Sequence, residues 1–326
     1  LLCLKAYSQR IDTLWMVNGT LIVGELRSIT VGIVQFKANG SAILNIRRHN
    51  IRTLSATVNN FKVETLNGDM YFGKVLPSAQ SGYIQMMGQE VKITGIFTLF
   101  YFRTGLFRQV QGNISAGYSF TKNSGTGRLN TDAALRMQER RYEVRPTISS
   151  ITSFNRDDSV SREREDVNLQ VLYDLTPFIF PAITVAYERN LQLGLVRRFS
   201  QSVGLGTKVL LSPHLHARVV TGIVMNQERY IDGRRSGNIK EVPLAFTFNA
   251  FKYTAPAVSL ATTQTLFFGI RQNGRTRLEG ETRLAWEIIT DFNVNIAVYN
   301  SYDSRPSVAA NGMSDLSMVF GIGYAF

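Results

Sequence analysis

The densest chemistry in the chain lies between Arg275 and Ile288. Its charged residues Arg275, Arg277, Glu279, Glu281, Arg283 and Glu287 occupy odd positions, while Thr276, Leu278, Gly280, Thr282, Leu284, Trp286 and Ile288 occupy even ones. A strand has period two, so this spacing predicts one ionic face and one mostly apolar face. Alternating guanidinium and carboxylate groups form charge-assisted hydrogen bonds. They can brace an enclosed interior or filter ions, and both uses remain open. The same parity in other segments puts Arg136, Arg141, Glu143, Arg145, Lys208, Arg218, Glu228, Glu241 and Arg271 on the ionic side.

Catalytic and metal chemistry find little support. The three histidines are His49, in Arg47-Arg48-His49, and the pair His214 and His216. A His-x-His pair can ligate a metal, but no cysteine or second histidine pair completes a set. His214 is expected at the rim facing out and His216 facing in, beside a turn. There is no phosphate-binding glycine loop and no zinc motif. The expectation is therefore a non-enzymatic protein with no catalytic residue, no metal and no cofactor.

The elements that must position these charges are strands. From Gln111 onward, period-two segments fall at 111–121, 128–138, 141–154, 163–175, 178–189, 197–211, 214–228, 239–253, 257–272, 275–290, 292–303 and 313–326. Long connections at 155–162, 227–238 and 304–312 alternate with short ones at 139–140, 176–177, 212–213 and 290–291. This alternation predicts an all-β, transmembrane, up-and-down antiparallel barrel of about 12 strands, with short inner turns and longer outer loops. Charges on a lipid face would cost about 2–4 kcal/mol each near the midplane, so the apolar set must point out and the Arg/Glu set into the lumen. Twelve strands enclose a narrow lumen, which excludes a wide general porin.

The last fifteen residues repeat the pattern. Leu316, Met318, Phe320, Ile322, Tyr324 and Phe326 share one face, opposite Gly321, Gly323 and Ala325. Tyr324 and the terminal Phe326 resemble the signal by which bacterial barrel-assembly machinery recognises outer-membrane proteins. Phe326 is expected to close the barrel against the first strand near Ile114–Phe120.

Composition agrees with a membrane barrel. The chain has 326 residues, 20 Phe and 13 Tyr, which suit interfacial aromatic girdles. No apolar run reaches the roughly 18–20 residues that a membrane helix requires. The net charge of +12 invites a nucleic-acid reading, but most of the charge sits in alternating strands, so no nucleic-acid partner is expected. Arg156, Arg162, Arg164, Arg229, Arg234, Arg235 and Arg305 fall in or beside the predicted outer loops. There guanidinium groups would meet the phosphates of outer-leaflet lipid, including lipopolysaccharide, or simply be solvated.

The first hundred residues contain a repeat. LWMVNGTLIVGEL, GIVQFKANG and NIRTL are echoed by FKVETLNGDMYFGKV, GYIQMMGQE and GIFTL. Asn18-Gly19 aligns with Asn67-Gly68, each a hairpin signal between apolar runs. The units resemble tandem Sm-like or SH3-like small barrels, at 9–56 and 57–100, with sheet edges suited to docking a periplasmic or outer-membrane protein partner by strand addition. Residues 1–8, with the single Cys3, read as the remnant of a signal peptide, with a lipid anchor or an ordinary N-terminus as the alternatives. Residues 101–110 form a linker ahead of the barrel at 111–326. It is either a turn after the last repeat strand or a segment lying on the membrane surface, with Arg103 and Arg108 facing phosphates.

Ile114–Asn123 (ISAGYSFTKN), the following Leu129–Arg141, Tyr302–Pro306 (YDSRP) and Gly321–Phe326 (GIGYAF) together resemble a family of bacterial outer-membrane proteins often labelled salt-induced. Some members carry a segment like LWMVNGTLIVGEL ahead of the barrel. The resemblance implies an outer-membrane barrel of about this strand number with the preceding domain in the periplasm. It implies no substrate or reaction. The expected role is structural or accessory; the alternative is a narrow channel for ions or small solutes.

Overall fold

The computed structural model describes residues 12–40, 42–102, 110–121, 125–154, 160–191, 194–270, 274–289, 292–305 and 314–324. Two compact units divide the chain after Thr104, with Leu211–Leu215 grouped with the first.

The first unit holds nine strands: β1 (Asp12–Met16), β2 (Leu21–Thr30), β3 (Ile33–Ala38), β4 (Ile43–Arg47), β5 (Ile51–Thr65), β6 (Met70–Pro77), β7 (Tyr83–Met86), β8 (Gln89–Lys92) and β9 (Ile96–Phe102). The sheet order is β4-β3-β2-β1-β5-β6-β7-β8, with β9 paired to both β2 and β5. Gly19 and Gly68 take φ of 87° and 91° in the two aligned Asn-Gly turns, a conformation that costs glycine little. Two 3-10 turns, Arg48–Asn50 and Ile93–Gly95, also stand at equivalent places.

The repeat is fused rather than tandem. The boundary expected at 56/57 falls inside β5, which is one continuous strand of 15 residues. Its first part pairs with β1, and its second part takes β1's place against β9. Leu14↔Leu54 and Met16↔Ile51 in one half correspond to Val63↔Leu99 and Thr65↔Ile96 in the other, with a register shift at the same step. One core, including Leu14, Leu26, Phe36, Leu54, Phe61, Val63, Ile84 and Leu99, runs through both halves. The buried Arg48 donates from Nη1 to the Ile96 carbonyl at 3.0 Å, tying the 3-10 turn of one half to the strand of the other.

The second unit is an up-and-down antiparallel meander curled as a barrel wall. Its strands are β10 (Gln111–Thr121), β11 (Thr126–Gln138), β12 (Tyr142–Phe154), β13 (Val160–Tyr173), β14 (Ile179–Asn190), β15 (Leu195–Leu211), β16 (Leu215–Tyr230), β17 (Arg235–Lys252), β18 (Ala257–Gly269), β19 (Thr276–Ile289), β20 (Phe292–Asp303) and β21 (Ser314–Tyr324). They hydrogen-bond in strict sequence order. The pairing of β21 with β10, expected at closure, is not among the described ladders, and Phe326 lies outside the described residues.

The connection expected at 227–238 is four residues long. Strands β16 and β17 continue to Tyr230 and from Arg235, and Gln227 donates to the Asn238 side chain at 2.9 Å across them. The apolar residues expected to face lipid are exposed. Val203 and Leu205 on β15 are 57% and 52% accessible, and Leu316, Met318, Phe320, Ile322 and Tyr324 on β21 are exposed too. Among the described residues, the largest buried apolar cluster of this unit holds three side chains, Leu172, Phe180 and Ala182. A sheet of this size without an apolar core satisfies the hydrophobic effect only if its outer face is covered by an apolar medium.

Candidate lumen network

Direct cross-strand partners point to one face of a sheet. Arg277↔Asp303 on β19 and β20 places both on the inner face, whereas Leu284↔Ile296 and Trp286↔Val294 lie outside. The inner face is strongly concave. The side chains of Glu228 of β16 and Arg275, just ahead of β19, reach 3.8 Å from each other across three strand steps of about 4.8 Å each. Arg218 on β16 likewise lies within electrostatic reach of Glu143 and Arg145 on β12, four strands away.

Two groups of charge occupy this concavity. Near the longer connections, Arg198 binds Glu188 and Glu228, both at 2.7 Å. Tyr230 donates its hydroxyl to Glu228. Arg275 clamps Asp303 in a bidentate pair, with Nε–Oδ1 at 3.0 Å and Nη2–Oδ2 at 2.5 Å. Arg277 forms a second fork on Glu241, at 3.1 and 2.7 Å, while Asn226 donates to the same carboxylate at 2.8 Å. Arg277 also reaches Glu279 at 2.8 Å and stacks over the Phe267 ring, 4.4 Å from its centroid. The side chains of Glu228 and Glu241 are wholly buried. A buried carboxylate persists when guanidinium and amide donors fill its lone pairs, as they do here.

Near the short turns, Arg136 and Arg145 each approach Glu143 at 2.5 Å. Between the two groups, Arg283 pairs with Glu281, and both remain substantially exposed within the concavity. Of the ladder named from sequence, Arg275, Arg277 and Glu279 join one group, and Arg136, Glu143, Arg145 and Arg218 the other. Arg283 and Glu281 lie between. Lys208 and Glu287 are partly buried, and Arg271 lies outside the described residues. Reading the sequence passed over Glu188, Arg198, Asn226 and Asp303. The parity rule that exposed Arg277 would have found all four.

The arginines expected in outer loops divide. Arg164 faces inward and pairs with Asp166 at 2.7 Å. Arg234 pairs with Asp232 in the β16–β17 turn, where the Arg234 backbone N–H and guanidinium hold the aspartate below its usual range. Arg162 and Arg229 lie on strands rather than in loops, Arg235 begins β17, Arg305 follows β20, and Arg156 is outside the described residues. His216 is buried against Phe251, edge-on at 5.1 Å, while His214 is exposed. Among the described residues no cluster of three metal-ligating side chains forms.

A comparison with solved structures finds "NanC porin structure in rhombohedral crystal form", at 12% identity, covering 67% of this chain and 98% of that one, with a TM-score of 0.35. No curated protein matches. Residues 100–326 match the family described as "Protein of unknown function, DUF481", and since that match takes in the whole meander, the chain belongs to this family.

Proposed function

We propose that this is a non-enzymatic barrel of the bacterial outer membrane with a structural or accessory role, whose N-terminal domain lies in the periplasm and docks a protein partner. The observation that carries this reading is the inversion of the second unit, with apolar side chains outside and bidentate Arg–carboxylate pairs inside. An even strand number returns both ends of an up-and-down barrel to the side of the short turns, which supports the periplasmic assignment. The likeness of the repeat sequence to Sm-like units, and its exposed sheet edges, support docking. Its sheet order ends at β4 and β8, short edge strands that a partner strand could extend.

A narrow ion channel is the second reading, favoured by the exposure of Arg283 and Glu281 within the concavity. Single-channel recording in planar bilayers separates the two. Silence, together with a stoichiometric partner in pull-downs from native outer membrane, supports the accessory role. Discrete openings whose size follows salt concentration, without a partner, favour the channel.

A further inference from the structure

Four arginines form a belt on the outer face of the second unit, one on each of four consecutive strands. Arg162 of β13 pairs across from Thr152, on the face of the exposed Ile148. Arg189 of β14 opposes Glu165, two residues from the exposed Val167. Arg197 of β15 is exposed and lies in the bulge opposite Arg189, two residues from Phe199, whose partner Tyr187 opposes Val167. Arg229 of β16 shares the parity of the exposed Ile223 and Met225. All four lie within three residues of the strand end at the longer connections.

The belt is held by the backbone. Arg189 donates from Nε to the Arg162 carbonyl at 2.8 Å and from Nη1 to the Val196 carbonyl at 3.4 Å, so its guanidinium spans β13 to β15. Glu165 is the acid beside it, paired with Arg162 at 3.3 Å and touched by the Tyr187 hydroxyl at 3.4 Å. Among the described residues Arg197 and Arg229 form no ion pair, and both are exposed. Further along this face, β14 and β15 carry Tyr187 and Phe199, and Val167, Val185, Val203 and Ile223 follow, with Gln201 and Gln227 among them. Cations above aromatics above aliphatics is the order of a membrane interface read from headgroup to chain.

We propose that this belt binds the phosphate groups of an outer-leaflet glycolipid carrying more than one phosphate, an inference that rests on the outer-membrane reading. Guanidinium matches phosphate by two parallel hydrogen bonds. Three strand steps give the belt a width of about 14 Å, enough for two phosphates on one headgroup.

The test uses the full chain, wild type and R162Q/R189Q/R197Q/R229Q, folded into phosphatidylcholine vesicles alone, with phosphatidylglycerol, or with bisphosphorylated lipid A. Slower gel migration after boiling reports the folded barrel in each. Wild type should retain lipid A through detergent extraction, at least tenfold above the quadruple variant, and lose it as salt rises. R164Q/R234Q, whose arginines are occupied by Asp166 and Asp232, should retain it like wild type. Equal retention by the quadruple variant, equal loss in R164Q/R234Q, or equal retention of phosphatidylglycerol overturns the belt while leaving the barrel standing. Failure of wild type to fold in any vesicle overturns the membrane reading itself.

Discussion

Glu228 and Arg275 meet across three strands, and their 3.8 Å approach turns a ladder of local pairs into a brace across the interior. Arg275 holds Asp303 on one side, and Glu228 holds Arg198 on the other, so the chain of contacts runs Glu188–Arg198–Glu228–Arg275–Asp303. Glu228→Ala leaves two guanidinium groups facing each other without their shared acid. Removing one partner of a buried pair costs about 3–5 kcal/mol, and water entering the concavity will bring the loss toward the lower figure. The expected outcome is a lower urea midpoint for the folded band on unheated gels. E228A/R198A should not recover the loss, because Arg198 keeps Glu188 in E228A and its removal leaves that carboxylate without its partner.

The outer face gives a directional test. Val203 sits at the middle of β15 with its side chain outward. Val203→Arg should cost about 2–4 kcal/mol in a bilayer if that face meets lipid at mid-depth. Ser202→Arg, one residue away and inward, should cost clearly less. Folding yield into vesicles of the two variants measures the difference, and equal yields would remove the lipid from that face.

Period-two patterning made the faces of the second unit legible, because a strand cannot hide parity: Arg277 and Trp286 had to be on opposite sides. It also placed most strand ends within a few residues. It failed at 227–238, where polar residues on both strands look like a loop although Gln227 and Asn238 are partners in a hairpin. Parity reports face but neither depth nor distant neighbours, so the Glu228–Arg275 brace could not be read from it. In the first unit the two halves were legible from Asn18-Gly19 and Asn67-Gly68. Their fusion was not, because Asn59-Asn60 has the composition of a turn at the boundary although one strand runs straight through it.

That fusion predicts shared stability. Phe61 is fully buried in the second half and Leu14 in the first, within one cluster. Phe61→Ala should cost about 3–5 kcal/mol and Leu14→Ala about 2–5 kcal/mol. Hydrogen exchange on the full chain should show each variant loosening both β2–β3 and β6–β7. Loosening confined to the mutated half would indicate two independent small barrels.

His49 adds a weak pH dependence to this unit. Partial burial, then Arg47 and Arg48, lower its pKa below the ordinary 6.5. The unfolded chain therefore binds the proton more readily than the folded one. The stability that neutral His49 permits is present above pH 6.5 and declines as pH falls below it. Proton NMR of the His49 ring should give a midpoint below 6.5, and His49→Gln should remove that share of the acid sensitivity. A midpoint at or above 6.5 would contradict the environment set by the two arginines.

Gly280 offers the sharpest local test of the outer face. It lies between Gln264 and Asn300 in one cross-strand row, and their amides exchange hydrogen bonds over it at 3.2 and 3.1 Å. A Cβ at Gly280 would come 1.9 Å from Gln264 Oε1, so the bridge exists only because the residue beneath it has no side chain. Gly280→Ala should push Gln264 aside and break both bonds, leaving the Asn300 amide without its Gln264 partner on the outer face, at a cost of about 1–3 kcal/mol. Replacing both partners avoids that cost, because nothing polar is left unsatisfied. Q264L/N300L should therefore match or exceed wild type in vesicles, and G280A in that background should be nearly silent. An equal penalty for Gly280→Ala in both backgrounds would trace the effect to the backbone of β19 rather than to the amide bridge.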